Sequence, residues 1–134
     1  MNALDQLMKL DSGKLAVAPT SEMEIERLSE LTGEPFVVKV KAISATRFME
    51  LVGDATDDNG NVDYGKAFEG NKLILSECMI EPNLKDKELQ AHFGTATPKD
   101  LAEKIFLGGE IGAIADRIAA ISGLGKSTRI KIKN

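Results

Sequence analysis

The chain is poor in the side chains that most enzyme chemistry needs. Its 134 residues include one cysteine, one histidine, one tyrosine and no tryptophan, with five phenylalanines completing the aromatics. The single cysteine, Cys78, excludes an intramolecular disulfide and fits a reducing compartment. The single histidine, His92, has no second histidine or cysteine cluster with which to build a tetrahedral zinc set. So few rings leave little with which to stack bases or hold flat cofactors. A basic surplus is also missing. Seventeen Lys and Arg stand against 21 Asp and Glu, giving a net charge of -4, the wrong sign for an electrostatic nucleic-acid binder. No apolar run approaches the roughly 20 residues that span a bilayer, and no signal-peptide core opens the sequence. Neither nucleic acid nor membrane is expected as a partner, and the expected compartment is the cytoplasm.

What is present is ordinary globular material, 43% apolar and 28% charged, in a length that suits one domain. Charge divides it unevenly. Residues 1–125 carry a net -8, whereas residues 126–134 hold Lys126, Arg129, Lys131 and Lys133 without an acid, a net +4. The expected organisation is a single domain over 1–125 followed by a basic tail over 126–134.

Periodicity supplies the elements. Leu4, Leu7 and Met8 share one face of a short N-terminal helix that Gly13 would stop. Residues 22–28 alternate, with Met23 and Ile25 on one side and Glu22, Glu24 and Glu26 on the other. Residues 36–43 alternate through Phe36, Val38 and Val40. Thr32-Gly33-Glu34-Pro35 punctuates between them, so an antiparallel β-hairpin of 22–28 with 36–43 is expected. Facing Met23 with Val40 and Ile25 with Val38 places Glu24 against Lys39 and Glu22 against Lys41 on the wet face.

The rest reads as helix. Ser44 caps a helix through Phe48, Leu51 and Val52 that Gly53 closes. A longer one is expected over 62–80, its stripe running through Tyr64, Ala67, Phe68, Leu75, Cys78 and Met79. Pro82 ends it, and Gly65 and Gly70 each weaken it by roughly 1 kcal/mol relative to Ala. Residues 87–93 form another helix. Thr97-Pro98-Lys99-Asp100 opens the next, with Gly108-Gly109 breaking it. The last presents Ile111, Ile114, Ala115, Ile118 and Ile121 at helical spacing. The fold class is α+β, with the hairpin packed against several C-terminal helices.

Three segments imitate chemical motifs and fail on their ligands. Asp57-Asp58-Asn59-Gly60-Asn61 would be a calcium loop with Ala55 in first position and Lys66 in twelfth, where acids are required. Gly108-Gly109-Glu110-Ile111-Gly112 has neither the preceding strand nor the Lys-Ser/Thr of a phosphate loop. Gly125-Lys126-Ser127 would need a glycine at position 120, which is Ala120. Cys78 on an apolar stripe reads as an inert buried thiol, and His92 as an imidazole at a helix end. No catalytic, cofactor-binding or metal-ligating constellation remains, and an enzyme is not expected.

The order of segments carries more information than any one of them. Asn2-Ala3-Leu4-Asp5, the run from Glu24 to Phe36, Pro82 to Leu89, Phe93-Gly94, Thr97 to Leu101, Leu107 to Ile111 and the ending Ile121-Ser122-Gly123-Leu124-Gly125 together resemble the XkdN-like tail assembly chaperones of long-tailed phages and prophages. The resemblance implies a non-enzymatic protein that binds the tape measure protein and helps the tail tube protein polymerise around it. It further implies action in the bacterial cytoplasm and absence from the finished virion. The alternative within the same setting is a minor structural tail component of the virion.

The basic ending stands outside that pattern. Arg129, Ile130, Lys131, Ile132 and Lys133 alternate with period two, so two isoleucines share one face and three cations the other. This marks them as candidate partner-binding residues and as a candidate third strand beside Glu22, Glu24 and Glu26. Weak self-association is expected from the free sheet edge they would seek.

Overall fold

The fold is described from a computed structural model. It covers residues 1–53, 55–124 and 130–133. Two short helices lead, α1 (Ala3–Met8) and α2 (Ser12–Ala16), each capped by the side chain before it, Asn2 and Asp11. Gly13 therefore lies inside a second helical turn instead of ending the first. Strand β1 (Thr20–Glu24) follows, then α3 (Glu26–Thr32), β2 (Val37–Lys41), α4 (Ala45–Val52), α5 (Tyr64–Cys78) and β3 (Met79–Glu81). Helices α6 (Lys87–His92), α7 (Pro98–Ile105) and α8 (Gly108–Ile121) complete the described elements.

The strands form one antiparallel sheet in the order β1-β2-β3. Val38 and Val40 point into the core, while Val37, Lys39 and Lys41 face water. Helices cover the first face. Ile74, Leu75 and Cys78 of α5, Leu101 and Ala102 of α7, and Ile111, Ile114, Ala115 and Ile118 of α8 close over the two valines. This two-layer arrangement buries the stripe of α8 that its spacing announces, and α8 runs across β1 and β2 on that side.

The hairpin departs from expectation in its connection and its register. Residues 26–28 are helical, because after Ile25 the chain offers Glu, Arg, Leu and Ser without another β-branched residue until Thr32, and Glu26 sits favourably in the first turn. Gly33 closes α3 in the left-handed conformation at φ 79°. With the strand ending at Glu24, Met23 faces Val38, Glu22 faces Lys39 and Thr20 faces Lys41. The displacement is two residues, which leaves every side chain on its expected face because strand parity is two.

The third strand is Met79–Glu81, paired to β2, where a helix running to residue 80 is expected. Met79 takes extended backbone as the C-cap of α5, and Pro82 follows β3 through a cis peptide bond. Residues 130–133 are not in a strand, and Ile130 and Ile132 are exposed, so no third strand comes from this stretch in the chain itself. Arg129 lies outside the described residues. Tyr64 is 81% exposed in the first turn of α5 and takes no part in the core stripe of that helix. Gly108 and Gly109 begin α8, because Glu110 reaches back to cap Leu107, its carboxylate accepting the Leu107 N–H at 2.8 Å.

Candidate functional site

The charged contacts of the described residues staple elements together, and none of them lines a deep cavity. Arg27, in the first turn of α3, donates through Nε and a terminal nitrogen to both oxygens of Glu110 at 3.1 and 2.9 Å, and to the Ile105 carbonyl at 2.8 Å. One arginine thus joins α3, the end of α7 and the start of α8. That guanidinium holds the Glu110 carboxyl below the ordinary glutamate range, with partial burial opposing and the Leu107 N–H assisting. Arg47 of α4 pairs with Glu77 of α5 and with Glu50. Lys72 is buried in α5, its ammonium 2.8 Å from Glu69, 2.9 Å from Glu103 and 4.8 Å from the centre of the Phe68 ring. Burial acts to lower its pKa, and the two carboxylates more than offset that.

The lone thiol and the lone imidazole sit apart in kind. Cys78 is in the core, and burial pushes its pKa up to about 11. His92 lies in the last turn of α6, exposed, its ring edge-on to Phe93 at 4.8 Å. The acidic turn after α4 uses its carboxylate internally: Asp57 Oδ1 accepts the N–H groups of Asn59 and Asn61, both at 2.9 Å, and Gly60 closes the turn at φ 82°. No group of three or more His, Cys, Asp or Glu side chains able to hold a metal ion occurs among the described residues. The Gly125-Lys126-Ser127 stretch lies outside them.

The surface offers binding features of another sort. Leu28, Phe36, Leu89, Phe93 and Ile105, with Thr32 and Pro82, wall an apolar cleft of about 270 Å³ between α3, α6 and the end of α7. Helices α1 and α2 leave Leu4, Leu7, Met8, Leu15 and Val17 exposed, so the predicted N-terminal stripe exists and covers nothing. A wider cleft of about 530 Å³ joins Leu15–Pro19 to Ala42, Ile43 and Ile121–Gly123, placing the exit of α8 beside the start of β1. Beyond it lies the outer edge of β1. Ile25 donates to the Phe36 carbonyl at 3.0 Å and Ala42 to the Pro19 carbonyl at 2.8 Å. The alternation of an antiparallel ladder then turns the backbone groups of Ser21 and Met23 toward β2 and those of Thr20, Glu22 and Glu24 outward. Sequence reasoning finds the acidic face of β1 and the tail cations. It misses the α3–α6 cleft, whose residues come from four separate stretches with no common period.

A family model for the phage XkdN-like tail assembly chaperone proteins matches residues 4–133. Among solved structures, the crystal structure of the protein YqbN is similar in fold, with a TM-score of 0.55 and 24% sequence identity over 81% of this chain and 90% of that chain. No curated protein matches. Among the described residues, no helix is long and apolar enough to cross a membrane.

Proposed function

The chain belongs to the XkdN-like tail assembly chaperones of phages, and from that premise we propose that it binds the tape measure protein transiently and assists the tail tube protein in polymerising around it. It acts without catalysis, in the cytoplasm of the bacterial host, and is left behind when the tail matures. Residues 1–125 are the client-handling domain in this reading, and residues 126–134 a basic appendage to it. The observation that carries the proposal is the extent of the family match, which runs from α1 through residue 133. Supporting it is a surface whose binding features are apolar: the cleft around Phe36 and Phe93, and the uncovered side chains of α1 and α2. Such surfaces suit an extended, aggregation-prone client that must later be released.

Co-expression with the tape measure protein of the same phage tests this. The expected result is a soluble complex that survives purification, is weakened by Phe93→Asp, and contributes no chaperone to purified mature tails. A stoichiometric amount of this protein in finished tails would overturn the chaperone reading in favour of a structural component.

A further inference from the structure

We propose that the outer edge of β1 is a docking site for the C-terminal segment Ile130–Lys133 of a second copy of this chain, added as an antiparallel strand. The edge presents the backbone groups of Thr20, Glu22 and Glu24, and no backbone hydrogen bond among the described residues reaches them from outside the sheet. The segment, for its part, is an unpaired alternating strand sequence with Ile130 77% and Ile132 75% exposed.

The two fit in one register. Placing Ile130 opposite Ile25 sets Lys131 against Glu24, Ile132 against Met23 and Lys133 against Glu22. The cations then lie on the wet face and the isoleucines on the side covered by α8. Charge on the wet face is already ordered in this way, since Glu22, Lys39 and Glu81 stand in one row across the three strands. Lys133 would extend that alternation by one strand. Glu24 faces Val37 and so lacks a cation across the ladder, although Ser29 donates to its carboxylate at 2.8 Å. On the other face, a cleft of about 410 Å³ lies beside the edge, where Met23, Ile25, Gly109 and Ala113 share the lining with the Arg27–Glu110 pair, Glu24 and Glu26, and its apolar side would take the isoleucines.

Chain geometry favours a second copy over the same one. The exit of α8 at Ser122–Gly123 shares a cleft with Pro19, before the start of β1. Six residue steps separate Leu124 from Ile130 and six separate Pro19 from Ile25. Fully extended chain covers roughly 20 Å in each case, which leaves no length for the reversal an antiparallel approach requires. A tail arriving from another molecule has no such constraint. Because the edge of one copy takes the tail of the next, the contact is heterologous, so it closes as an exchanged dimer or a ring and otherwise continues as an open chain.

Sedimentation of the full-length protein from about 10 μM to about 1 mM, the range a few cross-strand contacts support, tests the proposal. Wild type should show a mass that rises with concentration. Glu22→Lys with Glu24→Lys, and separately Lys131→Glu with Lys133→Glu, should each weaken self-association by about tenfold or more. In a mixture, contacts between unlike variants carry opposite charges in both directions, and association should return to within about threefold of wild type. The variants move net charge in opposite directions, to 0 and to -8, so a bulk-charge effect could not weaken both. Hydrogen exchange gives the second readout: slowing at the Glu22 and Glu24 amides should grow with concentration. A monomer throughout the range, unweakened variants, or slowing independent of concentration would each overturn the proposal. The assay uses pure protein, so its failure leaves the tape measure reading untouched.

Discussion

Gly70 gives the sharpest test of how the helices are packed. Considered as a helix residue alone, it costs α5 about 1 kcal/mol relative to alanine, and so does any interior glycine. Its neighbours reverse the sign. Gly70 is buried where α4 crosses α5, and a Cβ placed on it would stand 3.0 Å from Val52 Cα and 3.5 Å from the Leu51 carbonyl oxygen. Both are backbone atoms, which cannot swing aside as a side chain can. Separating the helices costs roughly 1–3 kcal/mol by analogy with overpacked cores, against the roughly 1 kcal/mol that the added methyl gains in propensity. Gly70→Ala should therefore destabilise the protein by about 1 kcal/mol, and Gly70→Val by more. Gly65 is the internal control. It is exposed in the first turn of the same helix, and a Cβ there would meet only Asp63 Oδ1 at 3.4 Å. Gly65→Ala should be neutral or stabilising by up to about 1 kcal/mol. For a chain of this length 1 kcal/mol corresponds to about 4 °C, so thermal unfolding followed by circular dichroism should find the variants on opposite sides of wild type. If Gly70→Ala melts at or above Gly65→Ala, the close approach of α4 to α5 is wrong.

Further expectations follow from other parts of the molecule. Ile114 is fully buried between α5 and the sheet, and Ile114→Ala should lose about 2–5 kcal/mol in a denaturant titration, whereas Asp116→Ala on the exposed face of α8 should stay within about 0.5 kcal/mol. Cys78 should resist alkylation in the native protein near neutral pH and react on unfolding, because burial both shields the thiol and raises its pKa to about 11. Glu110, Glu77 and Glu69 have carboxyls held below the ordinary value of 4.5 by Arg27, Arg47 and Lys72 respectively. Their contribution is present above pH 4.5 and is lost as pH falls through the depressed folded values, so unfolding followed below pH 4.5 should show stability declining toward acid. Glu110→Gln should make that decline shallower.

Local signals were legible wherever one residue type fixes one backbone need. Ser44 caps α4, Thr97 and Pro98 open α7, and Gly53 follows the end of α4 with positive φ. The core face of α8 and the inward valines of β2 were equally plain, because burial on one side imposes a period. Boundaries decided by tertiary packing were not. Met79 reads as the next apolar residue of a helix, yet it is extended because β2 offers a partner at Val40. The alternation of Met23 and Ile25 with Glu22, Glu24 and Glu26 ends at Arg27, and residues 26–28 lie beyond the point where β2 can pair with them. The register differs by two from the one the charges favour for the same reason: the charge pairs Glu24–Lys39 and Glu22–Lys41 are worth only tenths of a kcal/mol each, too little to outweigh the span set by α3.

Two apolar faces at the ends of the fold share a property that bears on function. Leu4, Leu7 and Met8 form the helical stripe their spacing announces, and Ile130 and Ile132 alternate as a strand would. Yet all five are exposed. Periodicity reports that a face is apolar and is silent on what covers it. In a protein that worked alone, both termini would be expected either to fold onto the core or to carry polar residues, because uncovered leucine and isoleucine favour aggregation without adding stability. Here the two ends leave the core beside one cleft, where Leu15–Pro19 meets Ile121–Gly123. Exposed apolar side chains on both terminal segments are what a chain requires if its burial is to be completed by another molecule. The interior, closed by α5, α7 and α8 over the sheet, supplies the stability, and none of the five exposed residues belongs to it, so covering them need not disturb the core.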